Sequence, residues 1–368
     1  MKKAALITGA DGYLGRRIAH ELLAAGQDHV VLAVRGTAGH DEFAAKVERL
    51  TSEFARFDPG RISIVPADLR RPDALDEVDA KSVTQIVHAA AVTEFNVDLE
   101  TARAVNLEGT ICVGAFAARC ENLQRLTLLS TLFAVGRRTG DIAEARHPDS
   151  GYVNHYEWSK WAAEEHLYRA YSDLPLSVIR LPTVIADDDT GRVTQYHHFH
   201  NTLKLYYYGL LSLIPGLPET PLYYASAEFT VAAIMRLLDP AAPPGIYHAC
   251  AGPEGVTTLG ALVDVMFAVF ESDERFRRRR LLRPIYCDED SFHDLVAASR
   301  ALQGSPLKEA MNSVSPFAPQ LFLPKVFRND ALCAAWPDYR TPATSELVEA
   351  TTRYLVTSRW GRATLEES

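Results

Sequence analysis

Residues 4 to 26 constrain this chain more than any other stretch. Ala4-Ala5-Leu6-Ile7 is an apolar run suited to a strand buried on both faces, and it leads straight into Thr8-Gly9-Ala10-Asp11-Gly12-Tyr13-Leu14-Gly15. Leu14, Ile18, Leu22 and Ala25 then recur at helical spacing until Gly26, which is placed to end the helix. Strand, glycine loop and helix in that order are the setting in which backbone can cradle a pyrophosphate. Gly9 and Gly12 allow a tight turn and close approach, the helix N-terminus offers N–H groups to the anion, and Gly15 lets helix and strand pack closely. The stretch predicts that Thr8, Gly9, Asp11, Gly12, Tyr13, Leu14 and Gly15 surround a dinucleotide.

Beyond that loop, short apolar runs alternate with helical stretches. Residues 30–34, 62–65, 85–88, 126–129 and 177–181 read as further strands, with a helix from about 41 to 57. The alternation predicts an α/β fold, a doubly wound parallel Rossmann sheet with right-handed crossovers, over residues 1–185. Residues 227–238 read as an amphipathic helix and 245–249 as a short strand returning to the sheet, so the segment from about 222 to 250 is expected to rejoin it. Residues 186–221 and 251–368 are expected to form a smaller, mostly helical substrate lobe. Residues 313–324, with three prolines, read as loop, and 344–356 as a last helix. At 368 residues the chain is long enough for both parts.

A second feature is chemical. Asn154-His155-Tyr156-Glu157-Trp158-Ser159-Lys160 sets a tyrosine and a lysine four apart, on one helix face. An ammonium beside a phenol favours the phenolate and draws its pKa below about 10, so Tyr156 is a candidate proton donor or acceptor. Tyr-x-x-x-Lys also occurs by chance in many amphipathic helices. Its weight here comes from company: Gly-x-x-Gly-x-x-Gly, Asn106-x-x-Gly109-Thr110, and Thr131 followed by Gly136 precede it.

Together these motifs resemble the extended branch of the short-chain dehydrogenase/reductase superfamily. The resemblance implies that Thr131, rather than Ser130, is the catalytic hydroxyl, since Gly136 trails it by the family interval and the spacing from 131 to 156 is familiar in extended members. Thr131 then holds the substrate oxygen, Tyr156 gives or takes its proton, Lys160 binds the nicotinamide ribose, and Asn106 shapes the site. Ala89-Ala90-Ala91 would let the cofactor sugar pass close to the backbone, and Pro182-Thr183-Val184 would meet the nicotinamide amide. Asp68, with Leu69, would meet the adenine amino group; an aspartate before Pro72 is equally suited to a cap or turn. The second strand ends in Arg35, where an NAD-specific site offers an acid to the ribose hydroxyls, so the expected cofactor is NADP, used as NADPH. Arg16 and Arg17 are secondary candidates for the 2′-phosphate.

Residues 87–95 (Val-His-Ala-Ala-Ala-Val-Thr-Glu-Phe), the lead Gly151-Tyr152-Val153-Asn154 and Arg35 resemble the thioester reductase and fatty acyl reductase branch more closely. Asp11 departs from it, standing where that loop commonly has a small hydroxyl residue. The branch implies a biosynthetic reductase delivering hydride to an aldehyde, ketone or thioester-bound acyl group, the last free or on a carrier protein. A nucleotide-sugar epimerase or dehydratase that keeps its nicotinamide bound is the alternative, and a non-catalytic NADP sensor is a third reading. Extended members are often dimers, so a homodimer is admitted.

Other features bound the partners. A formal charge of −9 argues against nucleic-acid binding, which needs surplus Lys and Arg. No apolar run reaches 18 residues, so no membrane span and a cytoplasmic location are expected. Five cysteines without metal-like spacing suggest reduced thiols. The stretch from 186 to 225 is rich in rings, including Tyr196, His197, His198, His200, Tyr206, Tyr207 and Tyr208, and favours an apolar, aromatic or acyl substrate. No carboxylate partners its histidines, so no metal is expected. Arg275, Arg277 to Arg280 and Arg283 form a basic run, readable as a dock for a carrier protein or coenzyme A phosphate, or as a solvated face.

Overall fold

The computed structural model describes residues 2–299, 301, 306–340 and 343–361. Seven strands form one parallel sheet: β1 (Ala4–Thr8), β2 (His29–Val34), β3 (Ile62–Pro66), β4 (Val83–His88), β5 (Arg125–Thr131), β6 (Leu176–Leu181) and β7 (Gly245–His248). Their order is β7-β6-β5-β4-β1-β2-β3, with every neighbouring pair parallel. The direction of winding reverses between β1 and β4. A crevice opens beyond the carboxyl ends of strands at such a switch point, which is where open α/β sheets bind ligands.

Both faces of the sheet are covered, and the two-residue strand period decides which side chain serves which face. Ala5 and Ile7 of β1 join Leu32 and Ile179 under the helices Tyr13–Ala24 and Ala227–Leu238, where Ile18, Leu22, Ile234 and Leu237 are buried. Ala4 and Leu6 face the other way, packing with Ile86, Leu126 and Val178 against Val113 and Phe116 of Gly109–Ala117 and Leu167 of His155–Ala170. Covering both faces explains why β1, β5 and β6 are buried along their whole length. Two arginines sit inside this apolar frame. Arg180 is ion-paired to Glu164 at 2.7 Å, and Arg125 donates to Ser177 Oγ at 3.1 Å and to the Asp239 carbonyl at 3.1 Å. Each buried charge therefore has fixed partners.

A third apolar cluster lies outside the sheet. It gathers Phe199, Leu203 and Tyr206 of His198–Tyr207, Leu262, Met266 and Phe270 of Leu259–Ser272, Val314, and Val348 and Leu355 of Thr344–Thr357. Element boundaries differ from the sequence reading in places. The second helix stops at Glu53, and residues 313–324 are not all loop: Ser313 and Val314 end the helix Pro306–Val314, and Ala318–Phe322 is a 3-10 turn. Pro319 fits that turn because its missing N–H falls in the first turn, where no partner is needed. No helix of the described residues is long and apolar enough to cross a membrane.

Candidate active site

A cleft of about 700 Å³ lies at the switch point. Its wall includes Gly9, Gly12, Tyr13, Leu14 and Gly15, Ala89 and Ala91 after β4, Thr131 at the end of β5, Tyr156 and Lys160, and Pro182, Thr183 and Val184 after β6. The glycine loop fits a dinucleotide pyrophosphate. Gly9 has φ +65°, and a Cβ there would meet the Ala90 backbone nitrogen at 2.7 Å; a Cβ at Gly15 would overlap the Gly9 carbonyl oxygen. The helix that follows starts at Gly12 with no side-chain cap and no acid in its first turn, so its leading N–H groups are free for an anion.

Tyr13 and Arg17 of that helix both bond Asp187, at 2.5 and 2.6 Å, and Thr194 and Arg192 bond the same carboxylate at 2.7 and 3.2 Å. Asp187 thus ties the glycine-loop helix to the segment after β6. Arg17 is committed there and Arg16 to Glu53 at 3.0 Å, which leaves Arg35, exposed after β2, as the one of these three candidates that makes no salt bridge with a described residue.

Several expected residues stand off the cleft wall. Thr8 is buried, sharing a 2.7 Å hydrogen bond with His88 and accepting from Ala90 N. Asp11 lies 3.5 Å from Lys46 Nζ. Asp68 is held by Arg70 at 2.5 Å, which keeps its carboxyl below the usual range, and Leu69 packs over Gly109. Asn106 lies behind the wall in a π-helical segment, Arg103–Glu108. Its side chain bonds both the N–H and the C=O of Val92, at 2.8 and 3.0 Å, and donates to Ser159 Oγ at 2.9 Å, which in turn donates to the Tyr156 carbonyl. The widened turn coincides with this one residue that braces the loop after β4 against the tyrosine helix.

That helix, His155–Ala170, begins with Asn154 accepting from Glu157 N at 3.0 Å, while the Glu157 carboxylate accepts from Val153 N at 3.1 Å. One turn of helix then brings Tyr156 and Lys160 to the same side. The Thr131 hydroxyl faces the Tyr156 phenol and favours its phenolate. Ser130, next to it, donates to buried Glu164 instead, so alternation along β5 separates the two hydroxyls. Lys160 Nζ donates to the Leu129 carbonyl at 2.6 Å.

Burial pushes the Tyr156 phenol up to about 12, and the Thr131 hydroxyl pulls it back only in part. Burial pushes the Lys160 ammonium down to about 8, while Glu164 supports its charge. Burial therefore moves the phenol opposite to the direction expected from the lysine, and the Glu157 charge adds to the rise. The arrangement presents a protonated phenol and an ammonium side by side at the end of a dinucleotide-sized cleft.

The sequence reading did not single out Thr93, Glu94, Phe95, Asn96, Gln195, Asn201, Asn312, Ser313, Pro316 and Phe317 as site residues, yet all line the cleft. Phe95 closes the motif from 87 to 95, and its place seven residues after His88, the end of β4, is a usable signal; Asn312 to Phe317 carry none, because only the packing of distant helices brings them in. Phe95 meets Tyr156 edge to face at 5.6 Å. The nitrogens of His197 and His200 are spent on the Val184 and Ile185 carbonyls, each at 2.8 Å. Among the described residues no group of three His, Cys, Asp or Glu could hold a metal. The basic run largely folds back on its own acids, Arg275 on Asp273, Arg278 on Glu274 and Arg283 on Asp264, and Arg279 stacks on Tyr207 and Tyr208.

The family model for male sterility protein, a nicotinamide-dinucleotide-binding family, matches residues 7–234, which spans the glycine loop, Thr131, Tyr156 and Lys160. The chain belongs to the male sterility protein family. Membership places it among nicotinamide-dependent oxidoreductases of the extended short-chain type. This male sterility family chain is 33% identical over 213 residues, 54% of its length, to isonitrile lipopeptide synthase of Streptomyces coeruleorubidus, and 33% identical over 220 residues, 50% of its length, to carboxylic acid reductase of Segniliparus rugosus. It spans only 14% and 18% of those two proteins. In fold it is similar to the terminal R domain of the myxalamid PKS-NRPS pathway, with a TM-score of 0.76 and 20% identity over 97% of this chain and 91% of that one.

Proposed function

We propose that this chain is an NADPH-dependent reductase acting on a carbonyl, in an aldehyde, a ketone or a thioester-bound acyl group, with Tyr156 as proton donor. The observation that carries the reading is the convergence of Thr131, Tyr156 and Lys160 on the wall of one cleft, beside a glycine cradle built for a pyrophosphate. The bound nicotinamide supplies hydride; the protein supplies orientation and the proton. Thr131 holds the substrate oxygen, Tyr156 donates its proton to that oxygen, and the nearby ammonium of Lys160 steadies the phenolate left behind. Thr183 and Val184 line the cleft where the nicotinamide amide would lie. No arginine lines the cleft among the described residues, which disfavours a sugar nucleotide with its pyrophosphate. The name of the carboxylic acid reductase relative favours an acyl-level substrate, and a carrier-bound thioester is one form in which to offer it. We assign residues 1–185 and the returning segment from about 222 to 250 to cofactor binding, and residues 186–221 and 251–368 to substrate.

Purified protein mixed with NADPH and a panel of aldehydes, ketones and acyl thioesters should oxidise the cofactor, and Tyr156→Phe should lower the rate by about 100-fold or more. Equal rates for the two proteins remove Tyr156 from the reaction. Arg35 supports NADP: Arg35→Asp should weaken NADPH binding by at least tenfold while leaving NADH binding equal or tighter, read by quenching of protein fluorescence. A loss shared equally by both cofactors would contradict that assignment.

A further inference from the structure

A second cavity lies against the first. It holds about 120 Å³ and shares Phe95, Phe133, Pro182, Thr183, His198 and Phe317 with the cleft that contains Tyr156. Four of those residues form a ring partition between the two spaces. Phe95 packs on Phe133 at 5.6 Å, on His198 at 4.9 Å and on Tyr156 at 5.6 Å, while His198 packs on Phe317 at 5.0 Å. The second cavity therefore begins one ring away from the phenol.

Its wall is hydrocarbon. Leu203, Leu262 and Met266 come from the helices of the outer apolar cluster. Most polar side chains on the wall are already engaged: Lys325 donates to Gln320 at 2.6 Å, Gln320 to Glu157 at 2.7 Å, Thr202 to the His198 carbonyl at 2.8 Å, Tyr206 to the Leu213 carbonyl at 3.0 Å and Tyr223 to the Lys325 carbonyl at 3.4 Å, while Thr183 and Tyr224 complete the polar set. His198 adds no charge, since burial drives its imidazole down to about 3. A cavity so lined stays dry and favours an apolar guest. Charged or strongly hydrated groups would lose their water there without replacement.

We infer that this cavity receives the hydrocarbon tail of the substrate, reached past the Phe95, His198 and Phe317 rings, while the carbonyl carbon stays beside Tyr156 and Thr131. The inference rests on the reductase reading and adds a substrate class, an aliphatic or small aromatic acyl chain of limited length. A dry cavity of about 150 Å³ accepts a six-carbon ring, so this one has room for roughly five carbons beyond the carbonyl. Longer chains meet the packed helices Leu259–Ser272 and Thr344–Thr357.

The experiment is a chain-length series. Straight-chain aldehydes from two to twelve carbons are assayed with NADPH; kcat/KM should climb roughly fourfold per added methylene to a maximum near six carbons and fall by ten carbons. Leu262→Trp, which fills the cavity from the side far from Tyr156 in sequence, should move the maximum to shorter chains, with Met266→Phe as the gentler second variant. Binding of 1-hexanol to the protein without NADPH is measured by calorimetry, where burial in the cavity gives a negative heat-capacity change that Met266→Phe diminishes. Rates independent of chain length, or a maximum unmoved in both variants, overturn the tail pocket and leave the reductase standing. Hexanol binding that the variants weaken, in a protein that reduces no carbonyl, upholds the pocket and overturns the reductase.

Discussion

Tyr156 is 8% exposed and Lys160 4%, and removing water raises the proton affinity of the acid while lowering that of the base. At pH 7 both keep their protons, the phenol by a wide margin and the ammonium by about one unit. A reductive step needs a loaded donor and a charged lysine, so kcat/KM should fall as pH rises through about 8, where Lys160 loses its charge. Lys160→Arg should carry that falling limb to higher pH, because a guanidinium stays charged. Initial rates from pH 6 to 10 read both profiles; a flat wild-type profile through pH 9.5 would dissociate Lys160 from the step. That Tyr156 and Lys160 share a helix face was legible in their spacing, whereas Thr131 entered through the family resemblance. The direction of the phenol shift was not legible, since it depends on how much water the surrounding lobe excludes.

Two elements meet behind the phenol. The tyrosine helix reaches the C-terminal part of the chain through Glu157, which is buried and pushed up to about 7 by desolvation, with Gln320 and Lys325 against it. A carboxyl that holds its proton more tightly in the native state than its ordinary 4.5 makes the fold bind more protons than the unfolded chain between about pH 4.5 and 7. Stability from this group is therefore greatest below that window and declines as pH rises through it. Glu157→Gln should flatten the decline, measured as the difference in urea midpoint between pH 5 and pH 7.5; a variant with the wild-type difference would show that other groups set it. On the far side of the helix, Thr8, His88, Thr110 and Asn106 form a buried hydrogen-bond chain from β1 toward Ser159, with His88 kept neutral. The sequence announces each helix and strand by its period, yet neither connection, because both pair residues from distant segments whose polar partners cannot be read from spacing.

Across the whole molecule, the sheet was readable strand by strand, since seven short apolar runs, most of them separated by helices, admit few topologies. The outer cluster was not. Its helices are amphipathic like any others, and only their mutual packing creates the space beside Tyr156 and brings Phe317 to it. The tyrosine and histidine enrichment from 196 to 208 hinted at apolar walls, while Leu262, Met266 and Leu321 gave no sign of sharing them.

β7 pairs with the outer edge of β6 through Gly245 to His248, so this second partner of β6, after β5, emerges only after all of residues 182–244. At a synthesis rate of about 5–20 residues per second, the β6 edge waits open for several seconds on the ribosome. An unpaired strand edge is a template for joining another chain. A fragment ending at residue 186 should scatter light increasingly with concentration, and a monodisperse fragment would show that something else covers β6. The late strand makes a nascent chain of this protein a client for whatever shields strand edges in its cell.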